Sequence, residues 1–145
     1  QGAFVTIHVK DPYQLRGCIG SLQGTMPLYK DVQKNAANAC TRDPRFRPMT
    51  PEELDKVEIE ISVLSEMKKV DSHKDIVLGT HGIMLKKGLN RSLYLPHVPW
   101  EAGWGIEETL SHLSQKAGLS PDAWKRDTEF HIFTAQVFGE RFKEL

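Results

Sequence analysis

The sequence predicts an α+β fold, a mostly antiparallel sheet with flanking helices. Three observations carry it. Apolar residues alternate strictly in Ala3–Lys10 and in Val57–Leu64, the period-two pattern of half-buried strands. Two other stretches carry apolar residues at helical spacing instead, around Leu28–Cys40 and Ile106–Ala117. The order along the chain is strands, helix, strands, helix, strand, which is not the regular alternation of a doubly wound parallel sheet.

In Ala3–Lys10, residues Ala3, Val5, Ile7 and Val9 take one face and Phe4, Thr6, His8 and Lys10 the other. Asp11-Pro12-Tyr13-Gln14 has turn chemistry, so Leu15–Ser21 follows as the hairpin partner. Pro27–Thr41 is predicted helical, with Leu28, Val32, Ala36, Ala39 and Cys40 on its apolar stripe. Asp43–Pro48, with two prolines, is a connection that cannot be regular helix. Thr50-Pro51-Glu52-Glu53 is a capping box with proline at the first helical position, so a short helical turn starts there.

Val57–Leu64 is the clearest strand. Ser65–Thr80 is charged and weakly patterned, a surface loop with one helical turn that separates a second, smaller lobe. Gly82–Lys87 and Ser92–Leu95 are strands around a turn at Gly88–Arg91. Pro96–Gly105 is irregular. Ile106, Leu110, Leu113 and Ala117 define an amphipathic helix stopped by Gly118. A short turn runs from Ser120 to Trp124. Glu129–Phe138, apolar on both faces, is a last strand, central in the sheet.

Size and composition suit one domain over residues 1–145. Hydrophobic residues make up 39% and charged ones 26%, enough apolar material for a core without staples. Nineteen basic residues balance nineteen acidic ones, so global charge does not point to nucleic acid or to an acidic membrane. Two cysteines without zinc spacing read as free thiols in a reducing, cytoplasmic setting. No apolar run approaches the roughly 18 residues of a membrane span. The first residues enter a strand at once, without a signal peptide, and suggest a natural N-terminus further upstream.

Leu15-Arg16-Gly17-Cys18-Ile19-Gly20 is the stretch with chemistry in it. Residues two apart in a strand share a face, so Arg16 sits beside Cys18, and a guanidinium beside a thiol favours the thiolate. Gly17 and Gly20 let another backbone or a ligand approach closely.

Several segments together resemble the AMMECR family: Phe4-Val5-Thr6, the Arg16–Gly20 run, Asp43-Pro44-Arg45-Phe46, Thr50–Leu54 and Glu58–Leu64. The match continues through His81-Gly82-Ile83, Leu95-Pro96, Lys116–Leu119 and Trp124. The resemblance implies an α+β fold of two unequal lobes with a cleft between them, and an N-terminal helical segment that this chain lacks. It implies no settled activity; family proposals run from nucleic-acid or translation machinery to a modification pathway. His97 stands where the family commonly has glutamine, and Leu113-Ser114-Gln115 where many members have a cysteine, so neither position carries a family role.

Each candidate residue has two readings. Cys18 is a nucleophile or a small buried hydrophobe; Cys40 lies on an apolar stripe and reads as core. His81 is a general base or a turn residue bonded to backbone. Arg45 grips an anionic ligand, or Asp43 and Arg45 brace their own turn. Glu58 and Glu60 are paired carboxylates or a solvated face, with Glu60 opposite Arg16 an attractive pairing. Trp100 and Trp104 stack a flat ligand or close a core edge. The six histidines show no metal-ligand spacing, and no phosphate-cradling glycine motif occurs. Lys68-Lys69, Lys86-Lys87 and Arg91 make a basic patch without aromatic interleaving.

The expected site is therefore Cys18 and His81 as catalytic groups, with Arg16, Gly17, Gly20, Asp43, Arg45 and Glu60 binding the ligand. No cofactor or metal is implied. The expected partner is a small, nucleotide-like molecule at an enzyme or ligand-binding site; the competing reading is a binding module for RNA or protein.

Overall fold

The computed structural model describes residues 1–140. It is an α+β fold with two four-stranded sheets rather than the one expected. The chain forms two compact units, one of residues 1–65 with the segment from 136 onward, the other of residues 66–135.

The first unit contains β1 (Ala3–Lys10), β2 (Tyr13–Ser21), α1 (Leu28–Thr41), a 3-10 turn (Pro51–Lys56) and β3 (Val57–Leu64). Its sheet is completed by β8 (Ala135–Gly139), in the order β2-β1-β3-β8. β1 is antiparallel to both neighbours, and one register row runs Cys18–Thr6–Glu60. The β1–β2 register slips between Ile7 and His8, so Gly17 faces Ile7, Leu15 faces His8, and Arg16 is the extra residue of a bulge. Ile7, Ala39 and Val57 form a buried cluster, with Ile19, Cys40 and Met49 packed on it.

The face that α1 buries differs from its apolar stripe. Its fully buried residues are Asp31, Asn35 and Ala39, while Leu28 is 37% exposed. The polar pair is held by hydrogen bonds, although Asp31 Oδ2 stays buried without a partner. Asn35 Nδ2 donates to the Ala3 carbonyl (3.1 Å) and to Ser21 Oγ (3.3 Å), and Ser21 Oγ donates to Asp31 (3.2 Å).

The second unit orders its sheet β4-β7-β5-β6, from β4 (Lys68–Val70), β5 (Gly82–Lys87), β6 (Asn90–Tyr94) and β7 (Glu129–Phe133). Three expectations are corrected here. The Ser65–Thr80 segment contains β4 as well as a helical turn, His73–Asp75; a three-residue, lysine-led strand has no periodicity to read. Pro96–Gly105 is not irregular but holds α2 (His97–Ala102), with Pro96 as its N-cap and Gly103 closing it at φ +72°. Glu129–Phe138 is two strands: β7 is internal to the second sheet, whereas β8 lies at an edge of the first.

The core of the second unit gathers Ile83, Leu85, Leu110, Leu113, Trp124 and Phe130 under α3 (Ile106–Lys116). Leu110 is fully buried. Leu110→Ala is expected to cost the unit about 2–5 kcal/mol, from lost transfer free energy plus the cavity left behind. Urea unfolding followed by tryptophan emission, all three tryptophans lying in this unit, checks this.

Among the described residues no helix is long and apolar enough to cross a membrane, and no group of three or more His, Cys, Asp or Glu is arranged to hold a metal.

Candidate functional site

The Arg16–Gly20 run lies on β2, an edge strand. An edge strand leaves alternate N–H groups without a ladder partner. Here the Cys18 N–H donates to Asp43 Oδ2 at 3.0 Å. Asp43 is 4% exposed, and the other bonds to its carboxylate come from Arg45. The Arg45 N–H and Nε donate to Oδ1 (3.1 and 3.0 Å), and Nη2 donates to Oδ2 (2.7 Å). The side-chain bond from Arg45 holds the Asp43 carboxyl far below the usual carboxylate range; burial opposes this, and the Cys18 and Arg45 N–H groups add to it. The loop carrying Asp43 is tied at its ends, by Arg42 N–H to the Asn38 carbonyl (2.7 Å) and Met49 N–H to the Cys40 carbonyl (2.8 Å).

Arg16 does something other than the sequence suggests. The bulge breaks the alternation that would set it beside Cys18. Its guanidinium, 11% exposed, donates to Glu53 Oε2 at 3.1 Å and lies 5.9 Å from the centre of the Phe46 ring. Glu53 also accepts from Arg47 Nη2 (2.6 Å) and from the Thr50 N–H (3.2 Å), the latter completing the capping box. Burial raises the Glu53 carboxyl, but the Thr50 N–H, Arg47 and Arg16 together hold it below its ordinary value. Arg16 nevertheless keeps Nη1 buried without a hydrogen-bond partner. The pairing of Arg16 with Glu60 does not form; Glu60 stands opposite Thr6.

The thiol expected beside Arg16 is thus met by Arg45 instead. Arg16 acts electrostatically on Cys40, whose thiol burial pushes up and Arg16 pulls down. Arg45 is the cation within Coulombic reach of Cys18: Asp43 raises its pKa most, and Cys18 adds to the rise. The Cys18 thiol and the Thr6 hydroxyl are hydrogen-bonded at 3.3 Å.

Both motif glycines are required by close approaches. A Cβ at Gly17 would stand 2.2 Å from the Ala39 carbonyl oxygen, and one at Gly20 would enter the Phe4 ring. Thus Gly17 seats α1 on the sheet, while Gly20 makes room for a side chain.

The structure brings Arg16, Gly17, Cys18, Gly20, Asp43, Arg45 and Glu60 into the first unit. His81 belongs to the second. There its Nδ1 accepts the Val77 N–H at 3.0 Å, the turn role among its two readings. Glu53, Phe46, Arg47 and Thr6 were missed as site residues. Glu53 was visible only as half of a capping box, and Thr6 only as a polar-face strand residue. A cavity of about 420 Å³ opens beside Glu53, with Arg47, Thr50, Lys56 and Val57 in its walls; Cys18 is not among its lining residues. The lysine patch is broken up: Lys69 approaches Glu129 at 3.5 Å, and Lys87 Nζ donates to the Ala123 and Arg126 carbonyls.

Comparison with known proteins gives concordant results. The AMMECR1 family model matches residues 1–138. A protein of Methanocaldococcus jannaschii is 42% identical over 97% of this chain and 73% of its own length. One from Methanopyrus kandleri is 44% identical over 99% of this chain and 73% of its own. The crystal structure of an uncharacterized protein from Pyrococcus horikoshii superposes with a TM-score of 0.89 at 37% identity, covering 99% of this chain and 75% of that one. With a family model matched over residues 1–138, this chain belongs to the AMMECR1 family.

Proposed function

We propose that the domain binds a small polar molecule at the Cys18 thiol, with the rest of the Arg16–Gly20 run as scaffold. The observation that carries this is the thiol's hydrogen bond to Thr6 at 3.3 Å, in a register row that ends at Glu60. Most of the rest of the run is committed to packing or pairing: Arg16 Nη2 to Glu53, Gly17 to Ala39, Gly20 to Phe4, and the Cys18 N–H to Asp43. That bond fixes the backbone from which the thiol projects, and Arg45 supplies positive charge to it. A thiol so held, flanked by a hydroxyl, a carboxylate and an arginine, has the groups to hold a polar ligand or to act on one. A nucleotide-like molecule fits this donor and acceptor set.

Competitive alkylation tests the reading. Iodoacetamide should label Cys18 at least about tenfold faster than Cys40, whose thiol burial pushes up. Cys18→Ser should change the unfolding free energy by less than about 1 kcal/mol. Equal, slow labelling of both thiols, together with a loss of several kcal/mol in Cys18→Ser, would make Cys18 architectural. Salt-dependent RNA binding that survives Cys18→Ser and Arg16→Ala would transfer the surface to the competing reading.

A further inference from the structure

The second unit leaves one tryptophan in water. Trp124 is buried, and its Nε1 donates to Ser111 Oγ at 3.2 Å. Trp104 is stacked on His112 at 4.0 Å between centroids and tilted on Tyr94 at 5.8 Å. Trp100, on α2, is 74% exposed, and Val77 nearby in sequence to its contact loop is 54% exposed. An exposed indole is uncommon enough in a folded domain to need a reason.

The ring does not dangle. Gly79, at φ +87°, lies under it, and a Cβ there would sit 3.3 Å from Trp100 Cε3. Gly79 rides on a closed turn. The Thr80 and His81 N–H groups donate to the Val77 carbonyl at 3.2 and 2.9 Å, and the His81 ring accepts the Val77 N–H. At the other end, the Gly103 and Trp104 N–H groups donate to the Trp100 and Pro99 carbonyls at 3.2 and 3.0 Å, holding the short helix shut. The indole is therefore pre-positioned on a fixed turn.

A cavity of about 360 Å³ opens beside it, lined by Leu78, Gly79, Thr80, His97 and Trp100. That is the low end of the range for small-molecule sites, the size of a one- or two-ring compound. The Thr80 hydroxyl and the His97 ring enter no hydrogen bond or ion pair among the described residues. Both can donate and accept at a ring edge. The lining holds no lysine, arginine, aspartate or glutamate, so a phosphate placed there would lose its hydration without a partner.

From these features we infer that the second unit carries a site for an uncharged flat heteroaromatic molecule, a nucleoside or free nucleobase, stacked on Trp100 and read by Thr80 and His97. This site stands independently of the one at Cys18.

Tryptophan emission and calorimetry on the full chain test it, with adenosine, guanosine, cytidine, uridine and their 5′-monophosphates as probes. At least one nucleoside should quench emission saturably, and its monophosphate should bind no more tightly. Trp100→Ala, a surface change that leaves the fold intact by near-UV circular dichroism, should remove the quench and weaken calorimetric binding by about tenfold or more. Thr80→Val should weaken it less and alter the ranking among bases. The inference is overturned if no nucleoside or base produces heat or quenching, or if binding survives Trp100→Ala. It is also overturned if sedimentation shows Trp100 covered by a second copy of the chain.

Discussion

Asp43→Ala is expected to lower the unfolding free energy by about 1–3 kcal/mol. The carboxylate is 4% exposed and accepts from the Cys18 N–H and from three N–H groups of Arg45. Removing it strands a backbone donor at the sheet edge, a cost of about 1–3 kcal/mol. It also releases Arg45, but that side chain is 56% exposed and water recovers most of its solvation, so the ion pair contributes little beyond this. Asp43→Asn keeps one acceptor oxygen and should lose about half as much. Urea titration of the three proteins separates these values.

The same residue sets an acid limb. Its folded pKa is depressed, by the Arg45 bond first. The unfolded chain therefore binds a proton more readily, and stability rises with pH across that window. The contribution is fully present above the unfolded carboxylate value of about 3.9. It falls progressively as pH drops from there toward Asp43's own lower value. Wild-type stability should decline between about pH 4 and pH 2 more steeply than that of Asp43→Asn. Parallel curves would show that Asp43 titrates alike in both states.

The second large effect is at Gly17. An added Cβ would lie 2.2 Å from the Ala39 carbonyl oxygen and 3.2 Å from its carbon, both main chain. Neither atom can rotate away, so α1 must lift from the sheet and open the Ile7–Ala39–Val57 cluster. Gly17→Ala should cost about 3 kcal/mol, the upper part of the range for overpacking. Gly20→Ala is the control. Its clash is with the ring of Phe4, a half-buried side chain that can turn aside, and about 1 kcal/mol is expected. Equal losses at the two positions would contradict this contrast.

What the residues disclose before folding is uneven, and the reasons are physical. β1 is legible to the residue because one of its faces is buried with period two; β3 is legible from its alternating residues, although its burial does not alternate, with Ile59 exposed and Ser62, Val63 and Leu64 all buried. The capping box at Thr50 was legible because its chemistry is local. The bulge at Arg16 was not: it follows from how two strands register, and no single strand records its partner. For the same reason Glu53 was invisible as Arg16's counter-ion, since they are far apart in the chain and meet only through the fold. The buried side of α1 was misread because burial there is decided by hydrogen bonds from Asn35 and Ser21, not by hydropathy. The motif itself stands out in the chain, yet the division of labour within it is set by the fold.

One consequence follows from the break between β7 and β8, where a single residue, Thr134, passes the chain from one sheet to the other. The first unit is discontinuous, and the second is spliced into it as an uninterrupted insert. On a ribosome the insert can mature as soon as it emerges. The flank of β3, by contrast, stays uncovered until β8, on the far side of the insert, is made. Gly139, whose position admits no side chain against the Ile59 carbonyl, arrives only with that strand. Completion of the sheet that carries the thiol thus waits until the whole insert has been made, and a nascent chain halted before β8 presents an open edge for illicit pairing.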